Sequence, residues 1–341
     1  SSASSDVYKR QRQAGAAARD VLIRAAAQRW GVAREECRSE KSYVINARGE
    51  RLSYGELAGA ATGLTLDPDP PLKDPTRFQL VGKPLARLDT PAKCDGSAMF
   101  GIDVMVPGML NAAIRMSPSF SGAVVAIRNE AEVSSMPGVK AIVMTPAVAV
   151  ANEEPGSQDA KLTYLSRANA VCVIADHFWQ AKRAIAALDV EFDRGEFGDL
   201  TTAKIDAALV AGFAATSGVP ALLRGDPQTL LQQAGASVIE RRFVLPHIAH
   251  APMEPVNATA HYQHDAVEVW GPIQSVTACQ EAVAAAIGCP ADAVKVNVTF
   301  LGGSFGRKIV PDFVVQAVHA SKAVERPVKL IRSREEDMQH D

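Results

Sequence analysis

The chain has no C-x-x-C pair and no even cysteine framework. Its five cysteines (Cys37, Cys94, Cys172, Cys279, Cys289) are scattered. That points away from a disulfide scaffold, a zinc site or an iron–sulfur cluster held by this chain, and toward small buried thiols. It has no excess of basic charge either. The 36 Lys and Arg against 38 Asp and Glu leave a net charge of −2 and a pI near 6.4, which gives no electrostatic footprint for nucleic acid. No uninterrupted apolar run is long enough to span a bilayer. There is no initiating methionine, and "SSASSDVYKRQ" resembles translated adapter sequence, so residues 1–11 are set aside from the fold. The other end, "LIRSREEDMQHD", stops where Ser333 and Glu336 form a capping box for a new helix. Both ends are expected to be cut, so the lack of a leader says nothing about export; bacterial cytoplasm and periplasm both stay open.

What is present suits a folded protein of two or three globular domains: 341 residues, 47% hydrophobic and 22% charged. Residues 12–66 read as a small α/β piece, with a helix over 14–31, a strand "KSYVIN", and a helix opened by the capping box of Ser53 with Glu56. A stretch with five prolines, "LTLDPDPPLKDPTRFQLVGKP", reads as extended backbone, and the linker is placed at 67–78. Residues 79–195 mix short strands with two helices, beginning with the alternating "SAMFGIDVMV", which suggests an α+β domain. Residues 196–235 carry weak helical signals and read as a connector. From 236 to 341 the pattern is a strand through "ASVIERRFVLP", strands "TAHYQ" and "AVEVWGP", the helix "SVTACQEAVAAAIG", and a strand–loop–helix–strand unit of roughly 35 residues.

The loop of that last unit is "FLGGSFGRK", between the strand-like "DAVKVNVTF" and the helix-like "PDFVVQAVHASKAV". Glycine permits positive φ and close approach to the backbone, and amides at such a loop and helix start point outward as unpaired donors. This is the build of an anion cradle. It matches neither the P-loop, because Gly302 is followed five positions later by Arg307 rather than glycine, nor the dinucleotide fingerprint, because Ser304 stands where a glycine is needed. A tight turn in which glycine only relieves strain remains the alternative.

Other candidates are weaker. His247, His250 and Glu254 in "PHIAHAPMEP" offer metal-ligand types, but the stretch is proline-interrupted and lacks a zinc-site spacing, so packing and hydrogen bonding are expected and no metal ligand is assigned. No Ser-His-Asp arrangement can be argued from order along the chain. Trp179, Trp270 and Phe313 lie in amphipathic patterns and read as core. "RSREEDMQH" alternates charges and reads as a solvated surface.

Several segments together resemble one family. "VGKPLARLDTPAKCDGSAMFGIDVMVPGMLNAAIRMSP" and "PGVKAIV" are similar to the a/b hammerhead domain of the xanthine dehydrogenase and aldehyde oxidase family. "HIAHAPMEPVNATA", "VEVWGPIQSVTACQEAVAAAIG" and "VTFLGGSFGRK" are similar, in that order, to the start of its molybdopterin-binding domain. The likeness is greatest to the bacterial branch of isoquinoline 1-oxidoreductase beta and nicotinate dehydrogenase large subunits, where an extra segment precedes the hammerhead.

The resemblance implies an α+β fold: a hammerhead domain flanked by incomplete pieces of the molybdopterin-binding domain. It implies that Gly303, Ser304, Phe305 and Gly306 line a molybdenum–pterin cofactor, as molybdopterin cytosine dinucleotide, with Phe305 as a dry wall and Gln274 hydrogen-bonding an oxygen ligand of the metal. The activity implied is oxidative hydroxylation of an N-heteroaromatic ring or an aldehyde with water as the oxygen source. Electrons would pass to a small [2Fe-2S] partner subunit. The family's general-base glutamate is expected beyond Asp341, so no catalytic residue is assigned and the chain alone is expected to be inactive. Ser304 replaces a frequent third glycine, and Ile309 replaces a residue often acidic in xanthine-oxidising relatives, which disfavours purines. Two other readings stay in play: a nucleotide or phosphate binder using the same loop, and a non-catalytic hammerhead module serving structure or interaction.

Overall fold

The computed structural model describes residues 2–119, 122–145, 170–214, 222, 224–234, 237–264 and 266–340, with side chains from Arg10 onward. The chain divides into two compact units at Thr90/Pro91.

In the first unit, α1 (Ser2–Trp30) precedes β1 (Cys37–Glu40), β2 (Tyr43–Asn46), β3 (Arg51–Ser53) and α2 (Tyr54–Ala61). The strands pair antiparallel in the order β1-β2-β3, and Val44 and Leu57 meet Ile23 and Ala26 of α1 in a small core. The capping box forms as expected: the Ser53 hydroxyl accepts the Glu56 amide at 3.2 Å, and the Glu56 carboxylate accepts the Ser53 amide at 2.8 Å. Proline has no amide with which to join a sheet, so the proline-rich stretch is held through its carbonyls. Arg24 and Arg19 of α1 donate to the carbonyls of Thr65 and Pro71, both at 2.6 Å. The buried Asp20 orients Arg24 and Arg34. Burial would raise its pKa, but the two guanidiniums outweigh that and hold it below the ordinary value.

The division between the units falls inside α3 (Thr90–Asp95). After it come β4 (Leu110–Met116), β5 (Val124–Ile127), α4 (Glu130–Ser134), β6 (Val139–Thr145), β7 (Ala170–Ala175), α5 (Phe178–Ala187), β8 (Val190–Phe192), α6 (Thr202–Ala214) and α7 (Pro227–Gln233). β9 (Asn257–Gln263), β10 (Ala266–Gly271), α8 (Val276–Ile287), β11 (Val294–Val298), α9 (Asp312–Val324), β12 (Val328–Ile331) and α10 (Arg334–Gln339) follow.

One seven-stranded sheet runs β11-β10-β9-β12-β4-β7-β6, with β10–β11 and β12–β4 parallel and the other pairs antiparallel. It therefore joins strands from residues 79–195 to strands from residues 236–341. Side chains alternate across a strand, and both faces are covered. Ala112, Cys172, Ile174, Ala258 and Leu330 pack with α8 and α9 on one side, while Ala113, Val171 and Val173 pack with Ala181, Ala184 and Ile185 of α5 on the other. No helix among the described residues is long and apolar enough to cross a membrane.

Several sequence expectations are corrected. "SAMFGIDVMV" forms no strand; its residues 101–103 make a 3-10 turn, with Gly101 pressed against Pro272 and Asn257. Residues 238–246 also form no strand, because no neighbour pairs with them, and Phe243 is 83% exposed. β11 and β12 are not adjacent, since β10 and β9 lie between them. Trp179 is 64% exposed: α5 buries Ala181, Ala184 and Ile185, and Trp179 falls outside that stripe. The charged "RSREEDMQH" is only partly solvated, because Arg332 is 0% exposed and Asp337 is buried. The Ser333 cap is half a box: its hydroxyl accepts the Glu336 amide at 3.3 Å, but the Glu336 carboxylate turns to the Met116 amide in β4.

Candidate functional site

β10 and β11 are parallel neighbours, so the turns that leave them emerge at the same end of the sheet. One turn carries Gln274 into α8, and the other carries residues 302–308 toward α9. Ligands of open α/β sheets bind outside such strand ends. The two turns are tied together: the Thr299 amide donates to Gly271 O at 3.0 Å, and the Gln274 amide to Lys308 O at 3.1 Å.

The structure brings all five sequence-chosen residues into this corner. The Ser304 hydroxyl donates to Gln274 Oε1 at 2.5 Å and accepts the Lys308 amide at 2.9 Å. Ser304 is buried, whereas Gln274 is exposed and its amide nitrogen has no acceptor among the described residues. Gly303, Phe305 and Gly306 all take positive φ, +93°, +58° and +110°. With the backbone turned this way, the amides of Gly303, Ser304, Phe305 and Gly306 find no acceptor among the described residues. Consecutive outward amides in such conformations form an anion-binding concavity. Phe305 is 75% exposed beside it.

The glycines serve two different needs. A Cβ at Gly302 would stand 2.5 Å from the Cβ of Glu254, so this glycine is required by the protein's own packing. At Gly306 a Cβ would meet only His250 Nε2, at 3.7 Å, so that position is open in space and restricted by φ alone.

Sequence reasoning undervalued the residues beneath the loop. Glu254 is buried, and its carboxylate accepts from Lys308 Nζ at 2.7 Å, the Gly302 amide at 3.0 Å and the Ile102 amide at 3.1 Å. It is a structural acceptor here, and among the described residues no three His, Cys, Asp or Glu side chains gather for a metal ion. Burial would raise the Glu254 pKa; Lys308 and the Gly302 amide overcome that and hold it below the ordinary value. Burial pulls Lys308 down despite its partner. Past the loop, Asp312 receives both Arg307 (3.1 and 3.0 Å) and Arg332 (2.7 Å), and Arg332 also donates to Gln316 at 3.0 Å. Burial opposes the Asp312 charge, but the two guanidiniums prevail and its pKa lies far below the usual carboxylate range. No local pattern could have revealed the Glu254–Lys308 pair, whose members are 54 residues apart.

The profile of a molybdopterin cofactor-binding domain matches residues 214–341, which include the whole of this corner. The isoquinoline 1-oxidoreductase beta subunit of Brevundimonas diminuta is 27% identical, over 97% of this chain and 45% of its own. A protein of Gluconacetobacter polyoxogenes named membrane-bound aldehyde dehydrogenase [pyrroloquinoline-quinone] is 28% identical, over 97% of this chain and 42% of its own. Residues 214–341 thus match a molybdopterin cofactor-binding domain, and along nearly its whole length the chain is similar to these two proteins. The aldehyde oxidoreductase of Desulfovibrio desulfuricans superposes with a TM-score of 0.53 at 20% identity, over 82% of this chain and 33% of its own. The chain thus spans less than half the length of these relatives.

Proposed function

We propose that this chain forms part of the large subunit of a molybdenum hydroxylase. It would hold a molybdenum–pterin cofactor, as the cytosine dinucleotide, through the amides of Gly303–Gly306 and the side-chain amide of Gln274. The observation that carries this reading is the run of four backbone amides without acceptors among the described residues, at the turn where the cofactor-domain profile matches. A strongly anionic cofactor is the kind of group such donors stabilise. When bound, the cofactor supplies two-electron redox chemistry. The chain's own residues bind and orient it: Ser304 fixes the Gln274 amide with its nitrogen free to donate, and Phe305 gives an apolar wall against water once the site is filled.

On this reading residues 79–195 are the hammerhead, 236–341 begin the cofactor domain, and residues 12–66 and the 196–235 connector flank them. The substrate is an N-heteroaromatic ring or an aldehyde, hydroxylated with oxygen from water. Electrons leave to a small [2Fe-2S] subunit, a partner that fits the scattered, mostly buried cysteines of this chain.

The test is to purify the chain from a host that makes the cofactor and measure molybdenum by mass spectrometry and pterin by fluorescence after oxidation. Molybdenum and pterin in near-equal amounts are expected, both lost in Gly306→Val. A bound nucleotide without molybdenum would make the loop a phosphate cradle, and neither would leave a structural module.

A further inference from the structure

We infer that Glu254 and Lys308 are positioning residues that clamp the two ends of the glycine loop, so that the four unpartnered amides between them are presented to one anion. That this anion is the molybdenum–pterin cofactor rests on the reading above; the clamp itself rests on geometry alone. At the start of the loop, the Gly302 amide donates to Glu254 Oε2 at 3.0 Å while the Glu254 amide donates to Gly302 O at 2.9 Å. At its end, Lys308 Nζ donates to the same Oε2 at 2.7 Å and to Glu254 O at 3.2 Å. One residue therefore holds both ends of the loop, at Gly302 and Lys308. The turn at 101–103 is drawn into the same clamp, because Ile102 donates its amide to Glu254 Oε1 at 3.1 Å and gives its carbonyl to Lys329 Nζ at 2.6 Å.

Stability alone does not account for this arrangement. Lys308 is 0% exposed, and a buried ion pair is often matched or bettered by well-packed apolar residues of similar volume. An apolar pair could not accept two backbone amides from separate segments, nor could it tether the loop's end to its beginning. Among the described residues, the hydrogen bonds of the Glu254 carboxylate and the Lys308 ammonium go to the loop, the turn at 102 and each other, with Asn257 as the one further side chain against Glu254. The amides left over, those of Gly303–Gly306, are the ones the clamp turns outward.

Hydrogen exchange on the full 341-residue chain tests the clamp without needing the cofactor. In the wild type, the Gly302 and Ile102 amides should exchange slowly and those of Gly303–Gly306 fast. Lys308→Met should speed exchange at Gly302 and Ile102 by at least about tenfold while the Leu330 amide in β12 is unchanged. Retained molybdenum and pterin should fall several-fold in the same variant. Wild-type rates at both amides in Lys308→Met overturn the proposal. If that variant does not fold, Glu254→Gln with Lys308→Met removes both charges together. It should restore the thermal midpoint yet leave Gly302 exchanging faster and the metal content low; recovery of all three overturns the clamp. A wild-type chain without molybdenum whose amide rates respond as stated sinks the cofactor reading and supports the clamp. A chain that carries molybdenum and whose amide rates ignore both substitutions sinks the clamp alone.

Discussion

Gly302 and Ser304 carry opposite lessons about single residues. Gly302→Ala would drive a Cβ to within 2.5 Å of the Glu254 Cβ. Overpacking of this kind costs about 1–3 kcal/mol, and the expected result is a lower urea midpoint with an unchanged m-value. Ser304→Gly would restore the frequent glycine but remove the hydroxyl that joins Gln274 to the Lys308 amide. The expectation is weaker retention of molybdenum and pterin with a fold stability within about 1 kcal/mol of wild type, since a net hydrogen bond is worth about that. The loop was legible as a glycine turn because positive φ and close approach leave a mark in residue type, whereas Gln274, Ser304 and Phe305 were named as site residues only through the family resemblance. Glu254 was legible only as a carboxylate, and nothing in the sequence singled out Lys308. Their meaning comes from contact across 54 positions, which composition and spacing do not encode.

At the scale of elements, the start of α9 is held by charge. Asp312→Ala would leave the fully buried Arg332 without this counter-charge and take one partner from Arg307, and breaking a buried ion pair in this way costs about 3–5 kcal/mol. Denaturant melts should show it as a large midpoint loss, whereas a drop under about 1 kcal/mol would contradict the network's role. Acid acts on the same group. Because its folded pKa lies below the unfolded value, Asp312 contributes stability that is fully present above the ordinary carboxylate pKa of about 3.9 and is lost as pH falls through the folded value. Glu336 works the other way. Burial raises its pKa, so its contribution favours the fold below the ordinary value of about 4.3 and fades as pH rises toward the folded value. Glu336→Gln should therefore flatten the decline in urea midpoint above about pH 4 while leaving the acid limb of Asp312 in place. Long, strongly periodic elements such as α5, α8 and β7 were readable from the chain. The false strands at 97–106 and 237–246 alternate convincingly, but a strand exists only when a neighbour accepts its ladder; among the described residues the first has a single bridge, Phe100 with Phe300, and the second has none.

For the whole molecule, thiol chemistry gives a direct check on the packing. Cys94 is exposed, while Cys37, Cys172 and Cys279 are buried, and burial pushes the Cys279 thiol up to about 12. A thiol reagent under native conditions should modify Cys94 first, with Cys37, Cys172 and Cys279 reacting only on unfolding; early loss of Cys172 would contradict the burial of β7. The order of the sheet has a further consequence, in time. β4 lies between β7 and β12, and its parallel partner pairs Val328 with Leu110, some two hundred positions later in the chain. Synthesis at about 5–20 residues per second separates the two by roughly 10–40 s. Throughout that interval a strand destined for the middle of the sheet emerges from the ribosome with one edge bare. Non-local pairing of this kind is slow and exposes the chain to aggregation, so the nascent protein should depend on chaperones until the residues of β12 have cleared the exit tunnel.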